Sequence, residues 1–280
     1  MFHLLLDQLR FPESPFWSDQ DRCLYFVEWM GDAVQSLRNG AAEILFNTEP
    51  GGGPSGLAQT DQGNFWVCLY STQKLVRYSP IGIPLQVIDS YRGYPFKGPN
   101  DLTLDNQGGV YFTDGGDYAD DWETGRPAGA VYYLNPEGQL SQVDANVCFP
   151  NGIALSPDGT SLYVNEHRQN RTLIYPLARP GVTIGRSVFH DLDHACLLEP
   201  SAAFELGPDG LCVDPAGRLW IAHYGGGKLV QVSPEGKLLR TLYLPQGKKP
   251  TNVCYVPSKN LLFATEAELG LLYSVDLNQR

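Results

Sequence analysis

The chain has 280 residues, 42% of them hydrophobic and only 18% charged, with 30 Gly and 21 Pro. That apolar content is too high for disorder, and the Gly and Pro content predicts a globular protein rich in turns. A formal charge of −11 with no run of Lys or Arg excludes nucleic-acid and anionic-membrane partners, because phosphate binding takes a concentrated positive face.

In chain order, the opening string MFHLLLDQLR places Asp7 and Arg10 where a secretory signal requires an unbroken apolar stretch. No later window approaches the length of a membrane span. Cys23, Cys68, Cys148, Cys196, Cys212 and Cys254 are scattered, with no CxxC pair and no His at zinc-finger spacing. They are expected as small buried hydrophobes of a reducing compartment, which places the protein in the cytoplasm. Gly or Pro interrupts nearly every window long enough for three helical turns. Short runs rich in Val, Leu and aromatics recur instead: LYFV, FWVCL, VYFTD, LYVN, LWIA and LLFAT. These are strand signals, and turn signals such as Asp61-Gln62-Gly63, Asn106-Gln107-Gly108 and Pro157-Asp158-Gly159 separate them. The chain therefore reads as all-β.

Twelve to fourteen residues before each aromatic strand stands a proline: Pro12, Pro54, Pro99, Pro150, Pro208 and Pro250. Their spacing of 42 to 58 residues leaves room for about four short strands per unit, the pattern of a β-propeller. The expected architecture is one domain over residues 1–280, a six-bladed propeller of four-stranded antiparallel blades around a central channel. The last copy is short, so segment 2–9 is expected to supply the missing strand of the sixth blade.

Equivalent positions of the innermost strands point toward one axis. The residue after each repeat proline is such a position, and the six read Glu13, Ser55, Asn100, Asn151, Asp209 and Thr251. All bear oxygen, and none is cationic or apolar. Glu13, Asn100, Asn151 and Asp209 together offer two carboxylates and two amide carbonyls, the hard donors preferred by calcium, magnesium or manganese. Asn and Asp beside Pro are ordinary turn residues when met once. Six oxygens at one phase are not explained that way, because crowded carboxylates are costly without a cation.

The strings FPESPFW, GPNDLTLDNQGGVYFTD, FPNGIALSPDGTSLYV and PDGLCVDPAGRLWIAHYGGGKLVQVSPEGKLL resemble the gluconolactonase/regucalcin family of six-bladed propeller lactonases. Diisopropyl fluorophosphatase and the paraoxonases are more distant relatives. The resemblance implies one divalent metal, usually calcium with zinc, manganese or magnesium as alternatives, held by Glu13, Asn151 and Asp209. Asn100 is then a fourth ligand or a substrate contact. It also implies a small-molecule lactone as substrate. One departure stands out: sugar-lactone members tend to carry an Arg two residues before the Asn of the third blade, where this chain has Gly98 after Lys97.

If the innermost strand starts at the metal end, the loop after the second strand overhangs the same end. Those loops begin near Glu28, Tyr70, Asp114, Asn165, His223 and Glu266. The third is the longest, which suits a lid. Asp114, Tyr118, Trp122, Arg126 and His223 are expected substrate contacts, with Ser55, Asn100 and Thr251 from the channel positions. The segment His190-Asp191-Leu192-Asp193-His194 fits no zinc spacing and reads as a surface loop.

The chemistry implied is hydrolysis of a lactone, with the cation acting as a Lewis acid on the carbonyl oxygen. Asp209 is the candidate base for the attacking water, with a hydroxide on the metal as the alternative. No GxSxG elbow is present, which argues against a covalent route. Phosphotriester or fluorophosphate hydrolysis, and a non-catalytic calcium-binding propeller, are the rival readings.

Overall fold

The computed structural model describes residues 1–116, 127–192 and 206–278. Six antiparallel sheets form a propeller, numbered here as blades 1 to 6 in chain order. Their innermost strands are Pro12–Ser18, Pro54–Gln59, Pro99–Leu104, Pro150–Leu155, Gly207–Val213 and Pro250–Val256. Five begin at the repeat proline itself. A strand's first residue is one place where a missing N–H costs no ladder bond. Each blade then runs outward through consecutive hairpins. In blade 4 the fourth strand is split, with Val182–Thr183 and Ser187–Asp191 both pairing with Arg171–Arg179.

Burial is greatest in the second strands and falls toward the outermost ones. The second strands Cys23–Glu28, Phe65–Leu69 and Val110–Asp114 are buried along their whole length, whereas the outer strand Ala41–Asn47 is mostly exposed. Both faces of a second strand are covered, because each blade packs between two others. On Cys23–Glu28, Tyr25 and Val27 join the cluster shared with blade 2, while Leu24 and Phe26 join the cluster shared with blade 6. The period-two alternation of a strand thus feeds two cores, so the sequence reads as an apolar run. Among the described residues the six blade-to-blade interfaces each hold one such apolar cluster.

The ring closes as expected. Phe2–Leu6 pairs with Leu271–Asp276 as the outermost strand of blade 6. Closure removes the open edge through which a linear stack of blades would splay. Cys23, Cys68, Cys148, Cys212 and Cys254 are free thiols, and Cys196 lies outside the described residues. Among the described residues no helix is long and apolar enough to cross a membrane.

Candidate active site at the start of the inner strands

Every inner strand shifts register with its neighbour within a few residues of the repeat proline, for example between Glu13 and Phe16 and between Pro150 and Ile153. Such a bulge removes backbone groups from the ladder, so their carbonyls need other donors. Side chains of the adjoining blade supply them. Ser14 Oγ donates to the Ser55 carbonyl at 2.6 Å, and Ser55 Oγ to the Asn100 carbonyl at 2.7 Å. Thr113 Oγ1 donates to the Asn151 carbonyl at 2.7 Å, and Asn165 Nδ2 to the Asp209 carbonyl at 2.6 Å. Thr251 Oγ1 of blade 6 donates to the Pro12 carbonyl of blade 1 at 2.7 Å. These latches fix the backbone from which Asn100, Asn151 and Asp209 project.

The next residue of each inner strand forms a second layer. It is Ser14, Asp101 and Asn252 in blades 1, 3 and 6, and glycine in blades 2, 4 and 5. Asn252 Nδ2 lies 3.3 Å from Asp101 Oδ2 and 3.3 Å from Ser14 Oγ. Blades 3 and 6 stand on opposite sides of the ring, so this bridge spans the axis. The glycines are required by the same crowding: a Cβ on Gly210 would fall 2.0 Å from Asn252 Cγ, and one on Gly152 2.4 Å from the Asp209 carbonyl.

Three carboxyl groups meet here. Burial, then the neighbouring charges of Asp209 and Asp101, hold Glu13 well above the usual carboxylate range. Burial and Asp101 do the same to Asp209, partly offset by a hydrogen bond from Asn151. Burial pushes Asp101 up to about 7 against bonds from Leu102, Asn252, Ile153 and Ser14. Among the described residues, none of the groups acting on Glu13 or Asp209 is a Lys or Arg.

Among the described residues no group of three or more His, Cys, Asp or Glu side chains is arranged to hold a metal ion. A cation here would therefore rest on two carboxylates completed by amide oxygens. The set present fits that requirement: Glu13 and Asp209 repel one another, Asn151 is hydrogen-bonded to Asp209, and Asn100 stands half-buried at the same phase. Hard oxygen donors of this kind suit calcium or magnesium better than a thiolate-seeking ion.

The other expected contacts have different placements. Ser55, Asp114, His223 and Thr251 are all buried, with Thr251 and His223 at 0% and 1% exposure, and each bonds a group of the protein itself. Ser55 and Thr251 are latches. Asp114 accepts the backbone N–H groups of Lys97 and Gly98, as Glu28, Glu166 and Glu266 accept those of Arg10, Cys148 and Lys249. It is thus blade 3's copy of a backbone clasp. His223 Nε2 pairs with Asn170 Oδ1 at 2.8 Å. Tyr118, Trp122 and Arg126 lie outside the described residues, as do Asp193 and His194. Asp101, Ser14 and Asn252 were not foreseen. Their signal was a polar side chain in three blades where the other three carry glycine, one residue beyond the channel position.

A cavity of about 790 Å³ opens at the opposite end, among the hairpins after the inner strands, and reaches inward to Ser14, Asp101 and Asn252. It does not include Glu13, Asn151 or Asp209. The candidate chemistry therefore faces the other mouth.

Fold and site together define a six-bladed propeller with an oxygen-lined, acidic centre. The chain belongs to the SMP-30/gluconolactonase/LRE-like family, whose region matches residues 11–268. It is similar to a gluconolactonase of Zymomonas mobilis subsp. mobilis, 28% identical over 285 aligned residues, covering 93% of this chain and 77% of that one. Lactonase drp35 of Staphylococcus aureus is 30% identical over 192 residues, covering 63% of this chain and 54%, about half, of its own. The solved structure of a gluconolactonase from Xanthomonas campestris matches with a TM-score of 0.80 and 26% identity, covering 98% of this chain and 88% of that one.

Proposed function

We propose that this protein hydrolyses lactones with the help of one divalent cation, calcium in the first instance. The observation that carries the reading is the meeting of Glu13 and Asp209 at the start of the inner strands with no basic side chain among the groups that shift them. Its relatives named as lactonases support the substrate class.

Glu13, Asn100, Asn151 and Asp209 would hold the cation. When bound, it supplies a Lewis acid for the carbonyl oxygen and offsets the charge that grows there during attack. Asp209 takes a proton from the attacking water at a carboxylate oxygen. It returns that proton to the ring oxygen as the acyl C–O bond breaks. Asn151, bonded to Asp209, orients the carboxylate for both transfers. The product hydroxy acid ionises at neutral pH, so each turnover releases one proton.

The test is proton release from a panel of lactones before and after chelation, with elemental analysis of the purified protein. Hydrolysis that stops on chelation and returns with calcium is the expected result. A protein that binds the cation yet turns over no lactone or ester is a calcium-binding propeller instead. Turnover confined to phosphotriesters would move the same site to that chemistry.

A further inference from the structure

Each blade ends at the carboxylate mouth in a pair of residues: the one before the repeat proline and the one that follows the second strand or ends it. The pairs are Phe11 with Trp29, Gly53 with Tyr70, Gly98 with Gly115, Phe149 with His167, Gly207 with Tyr224, and Lys249 with Ala267. A backbone hydrogen bond or strand pairing joins the two members in every blade. The rim is therefore defined by twelve equivalent positions, and ring side chains, His167 included, occupy six of them.

The rings lap from one blade onto the next. A Cβ at Gly53 would strike Trp29, one at Gly98 would fall 2.7 Å from the Tyr70 ring, and one at Gly115 3.1 Å from Phe149. Phe11 meets Trp29 edge-on at 4.9 Å, and Trp29 meets Tyr70 at 6.1 Å. On the far side Phe149 meets His167 at 5.7 Å, and His167 meets Tyr224 at 6.1 Å. Phe11, Trp29, Tyr70, Phe149 and Tyr224 are all half-buried, so part of each residue stays open to solvent.

Two of these rings are held at a conformational cost. Phe11 and Phe149, next to Pro12-Glu13 and Pro150-Asn151, have φ of 60° and 51°. Left-handed backbone is unfavourable for a bulky residue and persists where the surroundings over-determine it, often at ligand sites. The rim also lacks the side chains that pair neighbouring hydroxyls. None of its twelve positions is Asp, Glu, Asn, Gln or Arg. His167 Nδ1 pairs with the Pro208 carbonyl at 3.2 Å, and Lys249 Nζ sits 5.4 Å over the Tyr224 ring. The acids one step below are turned into the backbone clasps.

We infer that this aromatic collar selects lactones bearing an apolar alkyl or aryl substituent over polyhydroxylated sugar lactones. The inference rests on the lactonase reading for its chemistry but not for its binding surface. A substituent on the lactone ring would lie against the exposed ring faces while the ring carbonyl reaches the carboxylate layer. Stacking and apolar contact reward such a group. At the twelve rim positions a polyol would exchange water for no Asp, Glu, Asn, Gln or Arg side chain.

The test measures kcat and KM for γ-butyrolactone, γ-caprolactone, γ-nonalactone and D-glucono-1,5-lactone, with γ-nonalactone quenching of tryptophan fluorescence alongside. Expected is a kcat/KM that rises at least about ten-fold from γ-butyrolactone to γ-nonalactone and exceeds that for the sugar lactone. Trp29→Leu and Tyr70→Leu should raise KM more steeply the longer the chain. A collar that only cements the blades would lower kcat/KM for all substrates alike. Flat chain-length dependence, or preference for the sugar lactone, overturns the collar and leaves the lactonase reading standing. If no lactone is hydrolysed, that reading falls. Quenching by γ-nonalactone that disappears in Trp29→Phe then still supports the collar, and its absence in the wild type overturns it.

Discussion

Blades 2 and 6 differ from the other four at the residue after the repeat proline. Ser55 and Thr251 spend their hydroxyls on a carbonyl of the adjoining blade. In blades 1, 3 and 4 that work is done by Ser14, Thr113 and Asn165, which leaves Glu13, Asn100 and Asn151 available to a ligand. One six-fold position is thereby divided between residues that latch the backbone and residues that the proposed site would use. Side-chain reach decides the split, since a short hydroxyl at this position bonds an adjacent carbonyl directly.

The division predicts separable losses. The largest belongs to the donor blades: Asn151→Ala combined with Asp209→Ala should abolish stoichiometric cation binding and lower kcat/KM by at least roughly 100-fold. Elemental analysis after desalting and proton-release kinetics check this. A double variant that still retains one ion per chain would place the site elsewhere.

Thr251→Val is expected to act on stability alone. The Pro12 carbonyl would be left buried without that donor, which costs about 1–3 kcal/mol. Urea denaturation should show a lower midpoint at unchanged slope, while cation stoichiometry stays at wild type. Loss of the ion in a folded Thr251→Val protein would erase the distinction between latch and donor.

The smallest effect concerns pH. Asp101 is pushed up to about 7 in the folded protein from an ordinary value of 3.8, so its folded form holds the proton more tightly than the unfolded chain. The stability it contributes is complete below about pH 4 and is lost as pH rises through about 7. In chelator, the Tm of the wild type relative to Asp101→Asn should fall by a few degrees, on the order of 2–4 °C per kcal/mol, between pH 5 and pH 8. Thermal scans at both pH values test the sign. A difference that grows in the other direction would mean that Asp101 is ionised in the folded state.

Much of this was legible in the sequence. Six prolines set the phase of the inner strands, and the apolar runs marked the second strands because both faces of each are covered. Position one after the proline was therefore readable. What the sequence did not show was how those residues would be used. Thr251 and Asn151 look alike as oxygen-bearing channel residues, and only the bulge, which strands a carbonyl within reach of the hydroxyl, separates them. The backbone clasp made by Asp114 was hidden for a related reason. An acid at a strand end reads as a ligand contact until the backbone N–H groups of Lys97 and Gly98 are seen to converge on it. Asp101 escaped notice because a regular strand would turn the following side chain away from the axis, and here it bridges toward blade 6.

The way the ring closes sets a timetable for the site. The Pro12 carbonyl, next to Glu13, is held by Thr251, 239 positions further along the chain, and the sixth blade waits for Leu271–Asp276 to receive Phe2–Leu6. A nascent chain carrying all four donors still lacks a closed circle to aim them. On the proposed reading, cation capture therefore waits until Thr251 and Leu271–Asp276 are in place.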